Sequence, residues 1–250
     1  MDLSLVLACY NEGPTLARSV ETIRTVLDAT RLTYELIFVD DASRDGTPDR
    51  IREIVQRSEG RPPMRVLWHE RNTGRGGAVR DGLRLAQGEL VGYLDVDLEI
   101  PAHAILACVL ALRDGYEVAV GKRIYPFQWR SLDRFVLSKG YAWLVGQLLR
   151  LPGLTDTESG CKFFRGARVL PLLPRCEETG WFWDTEIMAL CHAARLRITE
   201  VPCLFLRRSD KRSSVKPVRD SLDYFKTLLR FRARMARRPA REAQPDARCA

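Results

Sequence analysis

The 250-residue chain has no apolar run approaching the roughly 18 residues that a membrane-spanning helix needs. It also has no Cys-x-x-Cys pair: its seven cysteines (9, 108, 161, 176, 191, 203 and 249) are scattered and odd in number. That pattern argues against a zinc site or a disulfide framework and fits reduced thiols in a cytoplasm. Histidine is scarce, and the three present (69, 103 and 192) have no metal-ligand or nucleophile-triad spacing. Neither Gly-x-Gly-x-x-Gly nor the Gly-Lys-Ser/Thr ending of a P-loop occurs, which weighs against a nicotinamide cofactor and a P-loop nucleotide. The opening Met-Asp-Leu-Ser-Leu-Val-Leu is too short for a signal peptide and lacks a basic leader, so it reads as a first strand.

What is present is an ordinary globular composition, 46% hydrophobic and 29% charged. The length allows one large domain with a proper core, or at most two small ones. The net charge of +8 is uneven: 207–250 carries 14 basic against 5 acidic residues, leaving 26 against 27 for the rest. A basic end of this kind suits an anionic membrane surface, a phosphorylated substrate or nucleic acid. The aromatic-and-basic interleaving of single-strand binders is missing, so nucleic acid is not expected.

Leu3 to Ala8 is a continuous apolar run, as in a strand buried on both faces, and Pro14 to Leu27 reads as a helix. Tyr34 to Val39 is a second strand, followed by a helix to about Arg57 and a third strand around Met64 to His69. Asn72-Thr-Gly74-Arg75-Gly76-Gly77 then opens a helix to Gln87. Its glycines would let backbone approach a ligand and its start would favour an anion, or they are a structural turn. Strands alternating with helices predict a mainly parallel sheet with helices on both faces, which binds ligands beyond the carboxyl ends of its strands. Acidic residues stand at those ends in the second and fourth runs.

The fourth run, Glu89 to Leu94, leads into Asp95, Asp97 and Glu99 and stops at Pro101. In an extended chain these three carboxylates share one face. Converging like charges need a cation, and hard oxygen ligands suit Mg²⁺ or Mn²⁺, which could hold a diphosphate. A charged strand-to-helix turn is the alternative.

Ala-Cys-Tyr-Asn-Glu, Val-Asp-Asp-Ala-Ser-Arg-Asp-Gly-Thr, Asn-Thr-Gly-Arg-Gly-Gly-Ala and Asp-Val-Asp-Leu-Glu, in this order, resemble family 2 glycosyltransferases of the GT-A fold. Within them the chain is most similar to the polyprenyl-phosphate branch, which includes dolichyl-phosphate mannose synthases, and the resemblance runs from about Leu3 to Phe225. It implies a Rossmann-like α/β domain over 1–206, with a nucleotide-sugar half (1–100) and an acceptor half (101–206). It places Tyr10, Glu12, Asp40 and Asp41 at the nucleoside, with Ala8, Gly74 and Val96 alongside. Asp95 and Asp97 would handle metal and diphosphate; Glu99 stands where many relatives carry Gln.

Tyr116 to Val120 reads as another strand, leading into Gly121-Lys122-Arg123. Trp129 to Leu151 has a helical pattern in which Arg134 and Ser138, four apart, could grip a phosphate or form a solvated edge. The resemblance matches Arg123, Arg134 and Ser138 to lipid-phosphate ligands. Thr155 to Phe164, with Lys162, matches a sugar-side element only in part. Trp181-Phe-Trp183-Asp184-Thr-Glu186 begins a helix to about Ala194, with Asp184 placed as an N-cap and Glu186 in the first turn. In hydroxyl-accepting members of the wider superfamily an acidic residue at a comparable place acts as base.

Ile198 to Phe205, with Pro202, reads as an edge strand. The basic stretch after it resembles the family's flexible loop, with Arg208, Arg212, Ser214 and Lys216 as a lid over the diphosphate. Asp220 to Arg238 is expected to be an amphipathic helix with Leu222, Phe225, Leu228 and Leu229 on one side, able to lie on anionic lipid; 239–250 would be a disordered tail.

The resulting expectation is an inverting, metal-dependent transfer of a hexose from a GDP- or UDP-sugar to a polyprenyl phosphate at the cytoplasmic membrane face. Asp97, Arg123 and Arg134 would carry it. A phosphate acceptor is already ionised and needs no base. The alternative is transfer to a hydroxyl of a soluble metabolite or glycan, with Asp184 as base. A non-catalytic binder is a third reading.

Overall fold

The apolar strands predicted in the first hundred residues all form and lie side by side. The computed structural model describes residues 1–125, 151, 153–207 and 217–237. Strands β1 (Leu3–Cys9), β2 (Tyr34–Asp40), β3 (Met64–Trp68) and β4 (Leu90–Leu94) alternate with helices α1 (Gly13–Asp28), α2 (Thr47–Arg57) and α3 (Arg75–Leu85). After α4 (Ala104–Arg113) come β5 (Val118–Ile124), β6 (Cys161–Arg165), the short α5 (Gly166–Val169) and a 3-10 turn, Leu170–Arg175. Helix α6 (Trp183–Ala193), β7 (Ile198–Leu204) and α7 (Pro217–Arg237) complete it.

The strands make one sheet in the order β3-β2-β1-β4-β6-β5-β7. Every neighbouring pair is parallel except the two made by β6, which runs antiparallel between β4 and β5. The sheet is therefore mixed and mainly parallel. β6 was not legible as a strand, because a lysine interrupts its short apolar run. β5 starts two residues later than Tyr116 and runs through Gly121-Lys122-Arg123 instead of ending before them. Pro202 sits on β7, the sheet's last strand, where its missing N–H removes no ladder bond on the outer side.

Side chains alternate between two faces along each strand. Leu3, Leu5, Leu7, Leu36 and Phe38 pack with Leu16, Ile23, Ile51 and Ile105 on the face covered by α1, α2 and α4. Val6, Ile37, Val39, Val91 and Tyr93 pack with Val79, Leu83, Trp183 and Ile187 on the face covered by α3 and α6. Both faces are buried, and the carboxyl ends of β1, β2, β4 and β5 are left at one edge.

Helix α7 docks on the start of α6: Leu228 and Phe231 are buried with Phe182, Ala189 and Leu151. Leu229, expected on the same side as Leu228, is 44% exposed, whereas Leu228 and Phe231 are turned inward. Lys226, Arg230 and Arg232 are exposed. No described helix is long and apolar enough to cross a membrane.

Candidate active site

The turn after β2 carries two adjacent aspartates with opposite tasks. Asp41 is buried and faces away from solvent. Its Oδ1 accepts the Thr73 N–H at 2.7 Å and the Thr73 hydroxyl at 2.9 Å, and lies 2.8 Å from His69 Nδ1; Oδ2 accepts the Gly74 N–H at 2.9 Å. Asp41 thus ties the ends of β3 and α3 to β2, a structural hub in place of the expected nucleoside ligand. Asp40, also buried, accepts the Ser43 N–H on Oδ2 at 3.2 Å, while its buried Oδ1 has no partner among the described residues. Asp40 lines a cleft of about 520 Å³ with Tyr10, Ser43, Arg44, Trp68 and Asn72.

The turn after β1 is held by bonds to the turn after β2. Asn11, at φ 57°, accepts the Arg44 N–H at 2.9 Å, its own N–H reaches Ser43 Oγ at 3.0 Å, and the Glu12 N–H donates to Thr47 Oγ1 at 2.7 Å. Val96 is buried in the core and Ala8, partly buried, packs against it. The Gly74 N–H is already used by Asp41, and a Cβ at Gly74 would stand 2.6 Å from Thr179 O. At Gly76 a Cβ would overlap Trp183 Cβ. The glycine run lets α3 pack tightly on the 179–183 segment; its expected role in admitting a ligand is not what the geometry requires of it.

β4 ends at Leu94, and the chain turns at once: the Leu98 N–H donates to Asp95 O at 3.1 Å, with Leu98 at φ 54°. The extended run that would have aligned Asp95, Asp97 and Glu99 does not form. Among the described residues no three His, Cys, Asp or Glu side chains gather as a metal ion would need. Glu99 is therefore not retained as a third ligand. Asp95 and Asp97, whose Oδ1 accepts the Glu99 N–H at 3.2 Å, remain two hard oxygen donors of the type that a divalent cation takes together with substrate oxygens and water. Asp95 Oδ2 takes no hydrogen bond from any described residue, and it occupies the space a Cβ at Gly160 would fill.

Asp95 is partly exposed; its Oδ1 accepts Arg75 Nε at 2.9 Å and Nη2 at 2.7 Å. The third guanidinium nitrogen, Nη1, donates to Asp184 Oδ2. Asp184 Oδ1 accepts Lys162 Nζ at 2.7 Å and the Tyr93 hydroxyl. Asp184 does not cap α6, whose N-cap is Phe182 without a side-chain bond; it points inward, fully buried. Burial raises the pKa of the Asp95 carboxyl, Arg75 counters it, and Asp97 adds to the rise. Burial likewise lowers the Lys162 ammonium pKa, against the pull of Asp184. Glu186 is occupied too, accepting the N–H groups of Glu177 and Glu178 and pairing with Arg234 of α7.

Arg123, at the end of β5, gives Asp156 three bonds: N–H at 2.9 Å, Nε at 2.8 Å and Nη2 at 2.7 Å. Glu200 of β7 holds that loop by accepting the Asp156 N–H at 2.8 Å and the Thr155 hydroxyl at 2.8 Å. Arg134, Ser138, Arg208, Arg212, Ser214 and Lys216 lie outside the described residues.

The sheet edge thus unites a polar cleft, a turn with two aspartates and a buried ionic cluster. The family model described as "Glycosyl transferase family 2" matches residues 4–169. The chain belongs to glycosyl transferase family 2. Glycosyltransferase AglD of Haloferax volcanii is 31% identical over 246 residues, covering 96% of this chain and 38% of that protein. A dolichyl-phosphate beta-glucosyltransferase of Saccharomyces cerevisiae is 29% identical over 219 residues, 80% of this chain and 65% of that protein. This family 2 member therefore spans less than two thirds of these relatives' lengths. Glucosyl-3-phosphoglycerate synthase of Mycobacterium tuberculosis, solved with Mn²⁺, UDP and glucosyl-3-phosphoglycerate, superposes with TM-score 0.66 at 18% identity, over 92% of this chain and 78% of that one. At that identity the likeness establishes the fold, GT-A.

Local spacing gives Arg75 and Tyr93 no individual signal as site residues, because their partners Asp95 and Asp184 come from distant elements. Lys162 was noted without a role; a lysine within Cys-Lys-Phe-Phe is the signal, since a buried ammonium requires an anion from elsewhere in the chain.

Proposed function

We propose that this glycosyltransferase moves a hexose from a nucleoside-diphosphate sugar to a polyprenyl phosphate, with inversion. The carrying observation is that Asp40, whose buried Oδ1 has no hydrogen-bond partner among the described residues, lines a cleft on the same sheet edge as Asp95, Asp97 and Arg123. An imino N–H of uracil or guanine would satisfy that oxygen, and unsatisfied buried acceptors are costly. The acceptor class rests on relatives such as the yeast dolichyl-phosphate glucosyltransferase.

A Mg²⁺ or Mn²⁺ ion held by Asp95 and Asp97 would supply charge stabilisation for the departing diphosphate. A phosphate oxygen of the acceptor attacks the anomeric carbon as the bond to the nucleoside diphosphate breaks, so one displacement inverts the centre. Arg123 orients that phosphate through guanidinium N–H groups not spent on Asp156, a positioning contribution. Arg134 and Ser138, outside the described residues, are proposed to complete the grip, and the 207–216 segment to cover the diphosphate. The exposed cations of α7 support a peripheral position on an anionic, cytoplasmic membrane face.

Transfer to a hydroxyl would need a base, and Asp184, the residue named for it, is buried behind Arg75, Lys162 and Tyr93. The test is nucleoside-diphosphate release from UDP- and GDP-sugars with Mn²⁺ or Mg²⁺, with and without polyprenyl phosphate. Release that requires the lipid and vanishes in Asp97→Ala supports the proposal. Lipid-independent transfer to a hydroxyl acceptor would overturn it.

A further inference from the structure

Four ionic or phenolic side chains behind Asp95 have no assigned purpose in the reaction: Arg75, Asp184, Lys162 and Tyr93. A charge buried merely for stability is a poor investment, since hydrophobic replacements commonly serve as well. Here the charges alternate from the interior to the rim: Lys162, then Asp184, then Arg75, then Asp95. The innermost lysine is wholly buried and the outermost carboxylate is partly exposed.

The orientation of Arg75 is over-determined. Its guanidinium carbon is 5.6 Å from the ring centroid of Tyr93 and 5.6 Å from that of Trp181. All three nitrogens are engaged, two on Asp95 Oδ1 and one on Asp184 Oδ2. Tyr93 and Lys162 both grip the other oxygen of Asp184, so Asp184 cannot swing away. Both bonds to Asp95 fall on a single oxygen. That choice fixes the carboxylate rotation and leaves Oδ2 without a hydrogen bond from any described residue, beside Gly160.

We infer that Arg75 is a positioning residue for the cation: braced by Asp184 and Lys162, it holds Asp95 so that only Oδ2 is presented to the metal of a metal–nucleotide complex. The inference rests on the proposed role of Asp95. Groups that orient a metal ligand typically change metal affinity about 10–100-fold when removed. An arginine that instead contacted the diphosphate would change nucleotide affinity with or without metal.

The experiment titrates Mn²⁺ into the full chain with UDP or GDP present, following the free-ion EPR signal, and separately measures nucleotide binding in EDTA. Arg75→Met is expected to weaken Mn²⁺ binding about tenfold or more, with nucleotide binding in EDTA within about twofold of wild type. Arg75→Lys, which keeps the charge but not the fork, should recover part of the loss. Asp184→Asn, which keeps the shape, should weaken Mn²⁺ binding in the same direction, and it decides the matter if Arg75→Met does not fold. Unchanged Mn²⁺ binding in the folded variants, or a loss of nucleotide binding in EDTA, overturns the inference alone. A wild-type protein that binds no Mn²⁺ with either nucleotide removes the functional reading and the inference together.

Discussion

Gly160 and Asp95 occupy one another's space: the Gly160 carbonyl accepts the Asp95 N–H at 2.9 Å, and a methyl on Gly160 would coincide with Asp95 Oδ2. Gly160→Ala must therefore turn the carboxylate or shift the strand start. A displacement of about 1 Å at a reacting centre can cost about a hundredfold in rate, and a fall of that order in kcat/KM is expected. Gly46→Ala, where a Cβ meets nothing within 4 Å, should leave kcat/KM unchanged.

Asp40→Asn tests the cleft. Oδ2 accepts the Ser43 N–H, so an amide at this position keeps its oxygen there and turns its NH₂ to where Oδ1 stood. A donor would then face the nucleobase N–H. Nucleotide affinity by calorimetry should fall at least about tenfold, which is about 1.4 kcal/mol, with the melting temperature little changed. Unchanged affinity for both UDP and GDP would place the base elsewhere.

Asp41→Ala should act on stability before chemistry. It strips the acceptor from the Thr73 N–H and from His69, while the Gly74 N–H keeps Asn72 Oδ1 at 3.2 Å. Each buried donor left unsatisfied costs about 1–3 kcal/mol, so a loss of about 2 kcal/mol or more is expected in urea denaturation. A loss of nucleotide binding without destabilisation would contradict the hub assignment.

The Arg123–Asp156 pair predicts an acid limb. Burial raises the Asp156 pKa, but the Arg123 bonds, its charge and its N–H outweigh burial, and the net shift is downward. A carboxyl depressed in the folded state stabilises it above the unfolded value of about 3.9. That contribution is lost as pH falls through the lower, folded value. Between pH 5 and pH 3 wild type should lose more unfolding free energy than Asp156→Asn, which has no such proton to take up. Equal losses would show that the pair is not intact in solution.

Much of this architecture was legible in the chain. β1 and β2 are apolar at nearly every position because both faces of the sheet are covered, and Pro14 and Pro48 mark the first turns of α1 and α2. The aspartates after β2 and β4 were placed at the edge where a parallel sheet binds ligands. β6 carries no strand signal, because five residues with an internal lysine give no strand period. The convergence of three carboxylates failed because Leu98 takes a left-handed conformation and turns the chain after Asp97.

The sequence by itself determined which groups stand at the carboxyl edge: Asp40, Asp41, Asp95, Asp97 and Arg123 follow directly from where the strands end. Only the tertiary structure decided what each one does. Asp40 and Asp41 are chemically identical neighbours, yet one faces the cleft and the other is consumed by backbone N–H groups of a loop more than thirty positions away. Arg75 meets Asp184 across 109 positions, because sheet order sets α3 against α6. Local spacing carries the period of a strand or helix, but the partner of a buried charge is fixed by packing between distant elements. A buried ion must find its counter-ion there or not be buried at all.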